Sequence, residues 1–149
     1  MKALIQRVSE ASVTIDGNVY SSIGAGMLIL YCVETGDTKE DMDFIVKKTL
    51  NLRIFDDEEG VMNRSILDIG GEILVVSQFT LAASVKKGNR PSYVGAARPE
   101  EAIPMYEEFC ARLSEGLGRE VKTGVFGADM QVHLINDGPV TILVCKNTH

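Results

Sequence analysis

Few side chains in this sequence are placed to do chemistry, and their spacing rules out the commoner constellations. There are two histidines, His133 and His149. His149 is the last residue, and chain ends are poorly tied down as a rule. His133 lies in the apolar run Met130–Ile135. Alternation puts it on one face with Gln131 and Ile135, so it reads as a structural or surface histidine. Cys32, Cys110 and Cys145 are widely separated and form no C-x-x-C pair. An odd number without ligand spacing points to reduced thiols in the cytosol, each a small core residue, and to no metal. The acidic run Asp56-Asp57-Glu58-Glu59-Gly60 lacks the alternating ligands of a calcium loop and reads as a solvated turn. A G-x-S-x-G elbow, a Walker loop and a dinucleotide fingerprint are all missing, so no cofactor is expected.

Two stretches remain. Ser77-Gln78-Phe79-Thr80-Leu81 follows the apolar run Ile73–Val76, which places hydroxyl and amide groups at the end of a buried strand. Asn136-Asp137-Gly138-Pro139-Val140-Thr141 lies between two runs that read as strands, Met130–Ile135 and Val140–Cys145. It is expected to be a sharp turn, because proline gives no N–H to a sheet ladder.

Together the two stretches resemble the D-aminoacyl-tRNA deacylases, the family of D-tyrosyl-tRNA(Tyr) deacylase. That family carries an SQFTL motif and an N-x-G-P-V-T motif, and both stand here unaltered and in order. The resemblance spans the whole chain, as one domain over residues 1–149. It includes Met1–Val8, Asn51–Phe55 and Phe126–Val132. It implies a homodimer of three-layer α/β/β domains that hydrolyses the ester of D-aminoacyl-tRNA. It also implies a cis Gly138-Pro139 bond that reaches into the partner's pocket and rejects L-amino acids. Glycyl-tRNA, lacking a side chain, would escape such a gate.

The residues make physical sense of that activity. An aminoacyl ester is already labile, so positioning it and stabilising the oxyanion can suffice without a powerful base. Backbone N–H groups at the end of the Ser77–Thr80 strand could bind the oxyanion, and the neighbouring ribose hydroxyl could assist water. Thr80 could act as nucleophile, could place the ester or water, or could merely pack as a β-branched strand residue. Discrimination at one chiral carbon needs a rigid wall, which Gly138 and Pro139 suit. Arg7, a charge on the partly apolar strand Ala3–Val8, needs acceptors, and the carbonyls of that turn offer them. Phe79 and Met130 could pack against a terminal adenine, or could be core.

The formal net charge of −6 is awkward for an RNA-binding protein, so phosphate contacts have to be local. The densest basic loop is Lys86-Lys87-Gly88-Asn89-Arg90, which reads either as that contact or as a solvated loop. The same charge argues against a broad DNA-binding face. No apolar stretch is long enough to span a membrane and no signal-peptide pattern opens the chain, so a cytoplasmic protein is expected.

Strands, a helix, strands, a helix and strands follow one another, which is an α/β domain with mixed sheets and two helices. Asp16-Gly17 marks a type I′ hairpin, and Met27–Val33 reads as a strand covered on both faces. The first helix starts at Thr38 or Asp37 and buries Met42, Ile45, Thr49 and Leu52. Short strands are expected at Arg53–Phe55 and Val121–Val125. Pro99 opens the second helix, whose core face is Tyr106, Phe109, Leu113 and Leu117 and which Gly118 ends. Pro104 is expected to bend it or to move its start toward Ile103. The long loop from about Ala82 to Arg98 suggests function or mobility. Two other readings stay open: a non-catalytic tRNA-binding module, and a dimer that binds a small D-amino acid.

Overall fold

The first strand sets the architecture. In the computed structural model, which describes residues 1–147, β1 (Lys2–Ile15) is paired on both sides along its length. On one side it meets β2 (Asn18–Ile23) and β3 (Gly26–Cys32), both antiparallel. On the other side runs β8 (Gln131–Cys145), also antiparallel. The sheet continues from β3 through β6 (Glu72–Ser77) to β7 (Lys122–Thr123), and these pairings are parallel. β4 (Phe55–Asp56) and β5 (Met62–Arg64) form a separate small hairpin. His149 lies outside the described residues.

Alternation along β1 divides the core. Ala3 and Ile5 face one way with Met27, Ile29, Tyr31, Ile73 and Val75, under helices α1 (Lys39–Asn51) and α3 (Pro99–Leu117). Tyr31 stacks on Phe109 at 3.9 Å between centroids. Leu28, Leu74 and Val76 face the other way. They pack with Val8, Ala11, Val13 and Ile23, and with the partly buried Met130, Val132 and Leu134. Those partners come from the far halves of β1, β2 and β8. Register shifts at Gln6/Val8 and Val8/Glu10 mark where the long strands bend over the sheet. The layers are therefore helix, sheet and a second β layer made by the same strands.

Helix boundaries follow their local chemistry. Thr38 caps α1 in a capping box with Asp41, and Met42, Ile45 and Thr49 are buried, while Leu52 lies just past the helix. Pro99 opens α3, and Gly118 ends it in the left-handed region. The expected shift toward Ile103 does not occur. Pro104 sits exposed inside α3, where the Glu100 carbonyl it leaves unbonded can turn to water. A short third helix, α2 (Ile66–Ile69), was not anticipated, although Ser65-x-x-Asp68 forms a capping box there. The strand expected at Arg53–Phe55 is displaced to Phe55–Asp56, and the one expected at Val121–Val125 shrinks to Lys122–Thr123. Asp57 closes the β4–β5 turn with its own carboxylate. The Val61 N–H, then those of Glu59 and the Asn63 amide, hold it below the usual range.

Two expectations are corrected. Asn136–Thr141 is not a corner between strands, because β8 is one strand and the stretch is a bulge within it. Gln6 pairs with Thr141 and Val8 with Asn136, so Asp137–Val140 stand opposite Arg7 alone. The bulge on an outer strand takes proline off the ladder that it cannot serve. Cys145 is not a core residue but lies exposed on β8. Among the described residues, no helix is long and apolar enough to cross a membrane.

The stacked Tyr31–Phe109 pair lies at the centre of the larger core. Phe109→Ala is expected to lower the unfolding free energy by about 3–5 kcal/mol, measured by urea denaturation.

Candidate functional site

Strand β6 carries the first motif to the edge of a cavity. The strand stops at Ser77, and Phe79–Ala82 form a 3-10 turn rather than the strand end expected through Thr80. The chain turns because the Gln78 N–H still pairs with the Tyr31 carbonyl (2.8 Å) while the Leu81 N–H folds back to the Gln78 carbonyl (3.2 Å). The N–H groups of Phe79 and Thr80 open that turn and have no partner within it. Thr80 is exposed and therefore does not pack as a strand residue. Its hydroxyl oxygen accepts a hydrogen bond from the Gln78 side-chain amide. An amide N–H cannot take up a proton, so this contact orients the hydroxyl without activating it as a nucleophile.

The cavity beside the turn measures about 290 Å³ and is lined by Val76, Ser77, Gln78 and Phe79 on one side. Phe126–Met130 and Val132 line the other side. Gly124 makes room for Met130, since a Cβ there would stand 2.6 Å from the Met130 sulfur. Met130 is half-buried and packs on the smaller core, so it is both core and cavity wall. Phe79 is 53% exposed and meets the edge of Tyr93 at 5.0 Å. Tyr93 and Phe126 were not singled out by sequence. The SQFTL and FGADM stretches are brought together only by the fold.

The second motif forms a different corner. Arg7 is only 8% exposed. Its Nε donates to the Asp137 carbonyl (2.7 Å) and its Nη1 to the Ile54 carbonyl (2.8 Å) and the Asp56 carboxylate (3.3 Å). The Gly138-Pro139 peptide bond is cis. Gly138 has a φ of +147°, and a Cβ there would stand 2.7 Å from Val140 Cγ2 and 3.2 Å from Arg7 Nη2, so the bulge requires glycine. Asn136 closes the bulge. Its side-chain oxygen accepts from the Val140 N–H (2.7 Å), and its amide donates to the Val140 carbonyl (3.2 Å) and the Thr141 hydroxyl (3.1 Å).

Within one chain the two motifs do not meet. Arg7 pairs with Met27 and Met27 with Ile73, while Ser77 lies four residues further along β6. Three strand spacings separate β8 from β6, so the bulge and the Thr80 turn are about 20 Å apart. Lys86, Lys87 and Arg90 are exposed in the loop after the turn, where Ser84 and Ser92 pair as an isolated bridge. His133 is exposed with Gln131 and Ile135 and lines a separate cavity with Glu10 and Ser12. Among the described residues, no three His, Cys, Asp or Glu side chains converge as metal ligands.

Comparison with known proteins matches residues 4–145 to the family described as D-Tyr-tRNA(Tyr) deacylase. A D-aminoacyl-tRNA deacylase of Bacteroides thetaiotaomicron is 64% identical over 99% of this chain and 97% of its own. One of Porphyromonas gingivalis is 61% identical over 100% of this chain and 98% of its own. The fold is similar to a solved structure named c-Myc DNA unwinding element binding protein, with a TM-score of 0.94 and 44% identity over 99% of this chain and 100% of that one. It is also similar to that of a probable eukaryotic D-amino acid tRNA deacylase, with a TM-score of 0.81. There the identity is 18%, covering 96% of this chain and 97% of that one.

Burial pushes the Cys32 thiol up to about 11 and the Cys110 thiol up to about 12. Both should stay protonated and resist iodoacetamide at pH 8 in the native protein, yet react in denaturant. Mass spectrometry of the alkylated chain checks this.

Proposed function

The chain belongs to the D-Tyr-tRNA(Tyr) deacylase family, and on that premise we propose that the Thr80 turn and its cavity hydrolyse the ester of D-aminoacyl-tRNA. It is a hydrolase acting on ester bonds. The observation that carries the reading is the cavity itself. Its wall includes Phe79, Phe126 and Met130, and the turn that begins at Phe79 leads directly from that wall to the exposed Thr80 hydroxyl. That wall suits a terminal adenine, because single-stranded RNA ends are held by packing on apolar and aromatic side chains.

In the proposed reaction, water adds to the ester carbonyl and the N–H groups of Phe79 and Thr80 receive the oxyanion. The ester C–O bond then breaks, leaving the hydroxyl of water on the amino acid and its proton on the ribose oxygen. The ribose hydroxyl next to the ester assists the water. Thr80, fixed by Gln78, places the reactants and forms no acyl intermediate. Ser77 and Gln78 complete the end of the strand.

The gate is proposed to come from a second copy of the chain. Gly138, Pro139 and Arg7 are too far from Thr80 of the same chain to act on one substrate, whereas a two-fold partner can bring its own bulge to the cavity. The exposed Ile135 and Leu143 on β8 give such a partner apolar surface to cover. A wall of Gly138 and Pro139, anchored by Arg7, excludes the side chain of an L-residue and admits D-residues and glycine. Lys86, Lys87 and Arg90 contact tRNA phosphates, and the activity is cytoplasmic, in keeping with three unpaired cysteines. With a net charge of −6 and only this local basic loop, a broad DNA surface is not proposed.

The deciding experiment is hydrolysis of D-, L- and glycyl-tRNA by the purified protein. Rapid loss of the D- and glycyl esters with the L-ester spared is expected. Equal rates on D- and L-esters would sink the gate, and inertness on all three would sink the activity. Thr80→Ala is expected to keep part of the rate, while an ester on a ribose without the neighbouring hydroxyl loses most of it. A covalent acyl adduct on Thr80 in single-turnover experiments would reverse that order.

Sedimentation at assay concentration should give a two-chain species. A fully active and selective single chain would remove the cross-subunit gate.

A further inference from the structure

The turn that carries Thr80 is short and half outside the protein, and little of its order is its own. Besides the Leu81 bond to Gln78, the Ala83 N–H donates to the Thr80 carbonyl (3.1 Å). The Gln78 side-chain amide bonds the Thr80 hydroxyl and Phe79 meets the edge of Tyr93, while three further fixings come from strands of the sheet. The Gln78 N–H is held by the Tyr31 carbonyl, and the Cys32 thiol reaches the Phe79 carbonyl at 3.7 Å, a weak sulfur contact. The third fixing is charged. Lys2, the first residue of β1, donates from Nζ to the Leu81 carbonyl at 3.1 Å.

The position of that ammonium is physically apt. The last carbonyls of a helical turn lack partners within it and carry partial negative charge, so a lysine there supplies both a donor and a compensating charge. The Lys2 side chain is 29% exposed, and the Glu34 carboxylate lies 3.8 Å from Nζ. Glu34 is fixed in turn by the Met1 ammonium at 3.0 Å. The charge is thus aimed by a neighbour on the body of the domain instead of roaming in solvent.

We propose that Lys2 is a positioning residue of the hydrolytic site. Through the Leu81 carbonyl it holds the turn so that the Thr80 hydroxyl and the N–H groups of Phe79 and Thr80 stay in register with the cavity. The inference rests on the reading that this turn is where the ester is hydrolysed. Lys2 touches no substrate in this role, and its loss lets water solvate the carbonyl of the partly exposed Leu81, leaving the fold intact.

The test compares wild type, Lys2→Met and Lys2→Arg in two measurements. Hydrogen–deuterium exchange of the amides from 78 to 83 reports the order of the turn, and D-aminoacyl-tRNA hydrolysis reports kcat and KM separately. For Lys2→Met, faster exchange confined to the turn, an unchanged Tm, kcat lower by about tenfold and KM little altered are expected, as for loss of one charge-assisted hydrogen bond. Lys2→Arg should restore most of both. Exchange in the turn that does not respond to Lys2→Met overturns the proposal whatever the activity does. So does faster exchange with kcat unchanged. A wild-type protein that hydrolyses no ester removes the reading of function, while the exchange comparison still decides whether Lys2 holds the turn.

Discussion

A buried guanidinium must have its donors answered, and one edge of this protein is shaped around that requirement. Arg7 sits on the central strand with its side chain turned toward the helix layer, where neighbours at the same alternation are apolar. Its acceptors are backbone carbonyls from two distant segments, Ile54 and Asp137, with the Asp56 carboxylate beside them. An unanswered charge in that place costs several kcal/mol, so the bulge of β8 and the segment entering β4 are both tied to it. The glycine at 138 follows from the bulge itself, where φ is +147° and a Cβ would stand 2.7 Å from Val140 Cγ2, with the guanidinium 3.2 Å away.

At the other end of the sheet the arrangement is of the opposite kind. The Thr80 turn is half exposed and is held by backbone hydrogen bonds, one hydroxyl–amide contact and the Lys2 ammonium on the Leu81 carbonyl, beside a cavity wall that includes Phe79, Phe126 and Met130. The N–H groups of Phe79 and Thr80 have no partner within that turn. One end is rigid because its charge is enclosed, and the other is receptive because its donors are not. The proposed discrimination between mirror-image substrates calls for both properties.

Local chemistry was legible in the sequence, and long-range geometry was not. The Thr38 cap, the Gly118 stop and the buried stripe of α3 were readable because each depends on residues within a turn or two. The need of Arg7 for carbonyl acceptors was also readable, since a charge on an apolar strand states its own requirement, but Ile54 as a partner was not. Asn136–Thr141 was misread as a corner. Exclusion of proline from a ladder is met equally by a turn and by a bulge, and only the continuous pairing of β1 with β8 decides between them. The strand end at Thr80 became a 3-10 turn because the Leu81 N–H returns to Gln78. The meeting of Ser77–Phe79 with Phe126–Met130 depends on the bending of strands far apart in sequence.

The placement of charge has a consequence for residence time. On the proposed reading, the exposed basic residues 86, 87 and 90 supply a local attraction for RNA on a chain whose net charge is −6. Such a surface lets nucleic acid arrive at one spot and dissociate quickly, because few counterions are displaced on contact. A protein built this way can sample a large pool of intact tRNAs without sequestering them. On that reading, dwell time is set by how the 3′ end fits the proposed site, not by the grip on the body of the RNA.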